Sequence, residues 1–259
     1  MIDDGDLHVC KTIIFVTMRR FALIGCGRIG SAVLAAWQGG RLPGWELVSV
    51  LSRTAAPQAG ELATTDAAQL FARRLDIIVE CAGPAALAQH VEAALAVAPV
   101  WTVSAVALAN AALLARVNEA ARRSGHRLRV LPGALAGLDG VAAAAVDPLA
   151  TLQLDVDLLP GEGERAQVFS GSVREAAARY PNHVNVAMAA ALAGPGADVA
   201  QIRVHNPGAG PHFTLALQAE SAFGSLAVQV QPRVAPGLHP VAASIVAALR
   251  QELRPIWVG

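Results

Sequence analysis

Aromatic side chains are scarce, 4% of 259 residues, with a single tyrosine. That scarcity favours closely packed, alanine-rich helices over aromatic platforms. Charge is also sparse at 15%, and Lys+Arg and Asp+Glu balance at 20 each. Without a basic excess, neither nucleic acid nor an acidic membrane surface is an expected partner. The three cysteines, Cys10, Cys26 and Cys81, form neither a disulfide framework nor a metal spacing. The histidines show no ligand spacing, so no metal is expected. This cysteine usage fits a reducing cytoplasm. No uninterrupted apolar run reaches membrane-spanning length without a charge or glycine.

What the chain does have is apolar content, 54%, enough for one large domain or two modest ones. Residues 1–17 stand apart, acidic first and apolar later, without the basic start of a signal peptide. They read as an extension, since Met18-Arg19-Arg20 is a natural beginning.

The stretch Arg20 to Ser31 organises the rest. A short apolar run, Phe21 to Ile24, reads as a buried parallel strand, and it enters Gly25-Cys26-Gly27-Arg28-Ile29-Gly30, a G-x-G-x-x-G. Ile29, Val33, Leu34 and Trp37 then keep helical spacing. Strand, glycine turn and helix together are the context of a dinucleotide site rather than of an ordinary strand-to-helix turn. Gly25 permits the tight turn, Gly27 lets a pyrophosphate approach, and Gly30 lets helix and strand pack. Arg28 and Ile29 lie on the same turn, at the helix N-terminus that phosphates favour.

Strand two, Trp45 to Leu51, ends in Ser52-Arg53-Thr54. An acid there would accept from the ribose hydroxyl of NAD, whereas a guanidinium suits the 2′-phosphate of NADP. Ser52 and Arg53 therefore favour NADP, with NAD also open and a solvated Arg53 the bland alternative. Another strand, Leu75 to Gly83, ends in Cys81-Ala82-Gly83, small residues that leave room for a cofactor ribose. Cys81 reads as a packing residue, since no base lies near it in sequence. Strands at Val100–Ala105 and His126–Leu131 flank a helix from Leu108 to Ser124. The alternation predicts a Rossmann-type, doubly wound parallel sheet over residues 18–137.

The second half changes character. Leu152 to Leu158 alternates with period two. Ser172 and Glu175 have capping-box spacing. Three strands, Val199–Val204, Phe213–Ala219 and Ser225–Val230, precede a final helix from about Pro240 to Leu253. Residues 138–238 thus form a smaller α+β substrate domain with a mostly antiparallel sheet, and 239–259 a helix returning to the first domain. Apolar residues on both faces of 213–230 suggest cover by a second copy, a homodimer.

Four segments carry a family resemblance: Gly25–Gly30, Thr102–Ala109, Leu131-Pro-Gly-Ala-Leu-Ala-Gly-Leu-Asp139, and Phe169 through Tyr180-Pro-Asn-His-Val-Asn-Val186. From about Arg20 onward the chain resembles the L-aspartate dehydrogenase family. The resemblance implies NAD(P)-dependent oxidation of L-aspartate to iminoaspartate. That product either hydrolyses to oxaloacetate and ammonia or feeds NAD biosynthesis. It also implies cofactor-binding roles for Ala134 and Asn185, with Asn185 and neighbouring His183 close to the substrate. His183 stands where the family has asparagine, a position more often filled by a polar loop residue than by a catalyst. The family's catalytic histidine falls by count on Leu215, and the nearest histidine is His212, the candidate for proton transfer at neutral pH. A Lys-Pro-Pro loop is replaced by Leu158-Leu159-Pro160, and an Asn-Pro-Lys-Thr motif by His239-Pro240-Val241-Ala242. Arg174 and Arg233 are the cations available to replace those lysines. The alternatives are a related amino-acid or imine dehydrogenase with another substrate, or a cofactor-binding sensor without turnover.

Overall fold

The computed structural model describes residues 18–54, 56–158, 164–208, 213–233 and 239–257. Residues 1–17 and His212 lie outside that set. The first half is built on six parallel strands in the order β3-β2-β1-β4-β5-β6. They are β1 (Arg19–Ile24), β2 (Trp45–Leu51), β3 (Ala63–Thr64), β4 (Ile77–Glu80), β5 (Val100–Thr102) and β6 (Leu128–Val130). Helices α1 (Arg28–Gln38), α2 (Ala67–Phe71), α3 (Pro84–Val97) and α4 (Ala111–Ser124) connect them.

The apolar run in β1 is continuous because both faces are covered. Phe21 and Leu23 enter one core with Val33 and Leu34 of α1, whereas Ala22 and Ile24 enter the other with Leu87, Val91 and Leu95 of α3. The last helix, α8 (Pro240–Glu252), closes the α1 side, with Ala242, Ile245 and Leu249 fully buried there. Trp45 ties it down by donating from Nε1 to the Leu249 carbonyl at 2.7 Å. Burial of three such apolar side chains stabilises this return by roughly 1.5–3 kcal/mol for the larger ones.

The second half holds a five-stranded sheet in the order β11-β10-β7-β9-β8. Its strands are β7 (Thr151–Asp157), β8 (Ala166–Ser172), β9 (Gln201–Asn206), β10 (Leu215–Ser221) and β11 (Gly224–Val230). Only β7 and β9 run parallel; the other pairs are antiparallel. The fold is therefore α/β, a Rossmann sheet joined to a smaller, mostly antiparallel one. Helices α5 (Leu138–Ala144), α6 (Val173–Arg179) and α7 (Asn185–Ala193) belong to this half. The buried face presents Leu152, Leu154, Val156, Ile202, Val204 and Leu217, a core continuous with the α3 side of the first sheet.

The opposite face of this sheet carries Gln153, Asp155, Arg203, Gln218 and Glu220. Asp155 accepts from Arg203 at 2.7 Å and pairs with His205 at 2.9 Å. Exposure along β10 alternates strictly, so the expectation of apolar residues on both faces does not hold. The larger apolar residues, Leu215, Leu217, Leu226, Val228 and Val230, share one parity, and the other face carries only Ala216 and Ala227 among polar residues.

Alanine dominates α7, and Ala187 to Ala191 are all buried. Small side chains let the helix lie close against the 3-10 segment Ala105–Ala109, beyond the end of β5. That packing sets its first residue, Asn185, against the first half. Among the described residues no helix is long and apolar enough to cross a membrane.

Candidate functional site

The glycine turn has the geometry its sequence calls for. Gly25 has φ +106°, and a side chain there would meet Ala82 backbone and Cβ at 2.7 Å. A Cβ at Gly30 would come within 2.0 Å of the Gly25 carbonyl oxygen. Gly27, by contrast, faces open space. It is the N-cap of α1 and offers no side-chain cap, so the first amides of the helix stay available to an anion. A tight turn, close helix packing and an uncovered N-terminus fit a dinucleotide pyrophosphate.

In front of this turn lies a cleft of about 440 Å³. Gly27, Arg28, Ile29, Cys81 and Ala82 line it from the Rossmann side. The turn holding Ala134, the loop of Asn182 and His183, and Asn185 line it from beyond, with Phe213, Leu215 and His239. The structure thus brings Arg28, Ile29, Cys81, Ala82, Ala134, His183 and Asn185 together. Gly83 sits just behind, as N-cap of α3 with φ +121°. Ser52 and Arg53 lie at the end of β2 and do not line this cleft, and Arg53 is exposed.

Asn185 is oriented by the first half. Its Oδ1 accepts from the Val106 amide at 3.0 Å. An amide group can satisfy that donor only with its oxygen, so Nδ2 keeps its two hydrogens for the cleft. The Cys81 thiol is pushed well up by burial, with the Glu80 and Cys26 charges adding. It donates to the Gly25 carbonyl at 3.5 Å. A protonated, buried thiol is a packing group here, as the sequence suggested.

Three wall residues were not read as site residues. Burial, then the charge of Arg28, holds the His239 pKa below the usual histidine value. Its Nδ1 accepts from the Val241 amide at 3.3 Å, which in the neutral form puts the ring proton on Nε2. Asp157, at the end of β7, is 7% exposed and accepts from Arg165 and from the Thr214 amide, each at 2.9 Å. Leu215, 3% exposed, stands where the family count puts a histidine. For His239 a signal existed: a polar residue before Pro240 at a helix start is an N-cap position. For Asp157 there was only an acid at the end of an alternating strand.

Arg174, considered above as a replacement cation, is engaged elsewhere. It pairs with Asp198 at 2.5 and 2.8 Å and donates to the Ala109 carbonyl. Arg233 is exposed and does not line the cleft.

A Rossmann sheet with this glycine turn, facing a second sheet across a cleft sized for small molecules, defines a nicotinamide-dependent oxidoreductase. Comparison with known proteins narrows the class. Residues 25–131 match the homoserine dehydrogenase NAD-binding domain, and residues 135–252 match the aspartate dehydrogenase C-terminal domain. An L-aspartate dehydrogenase of Ruegeria pomeroyi is 36% identical over 90% of this chain and 92% of its own. One from Pseudomonas aeruginosa is 34% identical over 80% of this chain and 86% of its own. The solved aspartate dehydrogenase of Thermotoga maritima shares the fold, with TM-score 0.78 at 21% identity, covering 93% of this chain and 99% of that one. The chain belongs to the L-aspartate dehydrogenase family, among the NAD(P)-dependent amino-acid dehydrogenases.

Proposed function

We propose that the protein oxidises L-aspartate with NADP or NAD, giving iminoaspartate, which water converts to oxaloacetate and ammonia. The observation that carries this reading is Asn185. Its oxygen is held by the Val106 amide of one half, which leaves its amide hydrogens free to donate, and the residue lines a cleft shared with the glycine turn. A donor so fixed can hold a carboxamide or a substrate carbonyl in one orientation. When bound, the nicotinamide would accept the hydride from the substrate α-carbon.

The chain's own groups supply binding and proton handling. Gly25, Gly27 and Gly30 with the α1 amides hold the pyrophosphate, beside Arg28 and Ile29. Cys81, Ala82, Gly83 and Ala134 form the walls around the cofactor. Ser52 and Arg53 favour NADP, because a guanidinium forks onto a phosphate. His212 receives the proton from the substrate amine, and His183 contacts the substrate. The division into a cofactor part ending at 137 and a substrate part to 238, with α8 returning, suits a cleft enzyme. We further propose a homodimer acting in the cytoplasm.

A second reading has its own support. Arg28 is the one arginine or lysine on the cleft wall among the described residues, and Leu215 and Phe213 are apolar. The sequence contains a single lysine, Lys11. Such a wall suits an amino acid with less negative charge than aspartate.

The deciding experiment supplies purified protein with NADP or NAD and a panel of L-amino acids, and identifies the oxo acid and ammonia formed. Aspartate turning over fastest supports the first reading. Faster turnover of a monocarboxylic amino acid moves the assignment to the second.

A further inference from the structure

Glu80 ends β4 and is 1% exposed. Its Oε1 accepts from the amides of Ala82 and Gly83 at 2.7 and 2.9 Å, and its Oε2 from Thr102 Oγ1 at 2.5 Å. Thr102 Oγ1 in turn accepts from the Ser104 amide at 2.9 Å. Every partner is a neutral donor. None of the ion pairs among the described residues includes Glu80. Burial pushes its pKa up, and hydrogen bonds from Thr102, Gly83, Ser104 and Ala82 pull it only part of the way back, so it stays above the ordinary carboxylate value.

A buried carboxylate without a cation is costly. The N-terminus of α3, starting at Pro84, offsets part of that cost through its dipole. A glutamine could cap the same amides without any charge. Three donors converging on the two Glu80 oxygens favour the ionised form, and the cleft gives that charge something to act on. Ala82, whose amide binds the carboxylate, is a wall residue, as are Cys81 and Val103. Glu80 thus lies one peptide unit behind the cleft. It also ends the strand beside β1, at the point where strand order reverses and ligands of such sheets bind.

We infer that Glu80 is a positioning residue of the cofactor site, whose fixed negative charge behind the Ala82–Gly83 turn favours the oxidised, cationic nicotinamide over the reduced, neutral one. The inference rests on the cleft being the nicotinamide site. The two redox forms differ by one positive charge on the ring. A fixed anion in a medium of low dielectric separates them, whereas a purely structural cap treats them alike.

The test is Glu80→Gln in the full chain. Glutamine keeps an oxygen for the Ala82 and Gly83 amides, and its nitrogen can donate to Thr102 Oγ1, so the turn keeps its bonds. Dissociation constants for NADP+, NADPH, NAD+ and NADH are measured by fluorescence titration without substrate. The oxidised forms should weaken relative to the reduced forms by about tenfold. Glu80→Asp, which keeps the charge, should weaken both forms together with their ratio preserved. If Glu80→Gln does not fold, Glu80→Asp against Glu80→Asn, equal in length and different in charge, reads the same ratio. An unchanged ratio in the neutral variant overturns the inference and leaves Glu80 a structural cap. Failure of the unsubstituted protein to bind either redox form removes the cofactor reading, and the inference with it.

Discussion

The two walls of the cleft are made of different material. The Rossmann wall is mostly backbone: glycines, helix amides and small side chains, held from behind by Glu80 and Thr102. The opposite wall is mostly side chains: Asn185, His183, His239, Phe213 and Leu215. A backbone-built site recognises what all dinucleotides share, and its requirement is the absence of side chains. A side-chain-built site chooses the substrate, and each replacement changes the choice. The replacements fall on the second wall, where Leu215 and Val241 stand at the positions of the family's histidine and lysine. The cofactor wall retains its pattern.

Five substitutions sharpen that contrast, from the largest effect to the smallest. Gly30→Ala drives a methyl group against the Gly25 carbonyl, 2.0 Å from its oxygen. Overpacking of this kind costs about 3 kcal/mol, and cofactor affinity should fall by about 100-fold, read by fluorescence titration. Tight binding in that variant would show that the turn does not hold the cofactor. Asn185→Asp keeps an acceptor for Val106 but removes the donor facing the cleft. Loss of kcat/KM by about 100-fold with an unchanged melting temperature is expected, and equal activity would place the recognition elsewhere. His212→Ala should lower kcat by about 100-fold with cofactor affinity intact, whereas Leu215→Ala should move KM alone. Were Leu215→Ala the more damaging of the two, proton transfer would have to come from a residue other than His212. Arg53→Ala should weaken NADPH about tenfold and leave NADH untouched, a comparison made in one titration series.

A smaller effect lies outside the cleft altogether. Ser172 accepts from the Glu175 amide at 3.2 Å, and Glu175 returns the bond to the Ser172 amide at 2.8 Å. Ser172→Ala should lower the melting temperature by a few degrees and leave kinetics unchanged. A kinetic effect there would couple α6 to the cleft.

The same division decides what could be read from the chain. Apolar runs between glycine and helical spacing revealed the parallel sheet, because burial on both faces leaves a continuous signal. Boundaries slipped where side chains compete with the backbone ladder. The strand read to Ala105 stops at Thr102, whose hydroxyl takes the Ser104 amide, and a 3-10 segment follows. The helix read from Leu108 begins at Ala111, because Asn110 caps it through the Leu113 amide. The short helix Leu138–Ala144 had no periodic stretch long enough to register. In the site, the glycine turn was visible from spacing alone. Ala134 and Asn185 came from family resemblance, since neither residue type carries a chemical signature. Glu80, Asp157 and His239 were not read as site residues because their importance comes from burial and partners distant in sequence. The helical return that places His239 beside Arg28 could be read only as an amphipathic end.

The most direct test of the account is the reverse reaction, followed at the absorbance band of reduced nicotinamide with NADPH or NADH, ammonia and a series of 2-oxo acids. Rapid oxidation with oxaloacetate is expected, faster with NADPH, with slower rates for monocarboxylic oxo acids. Tight NADPH binding with no oxidation by any oxo acid would contradict it, leaving a cofactor-binding protein without this chemistry.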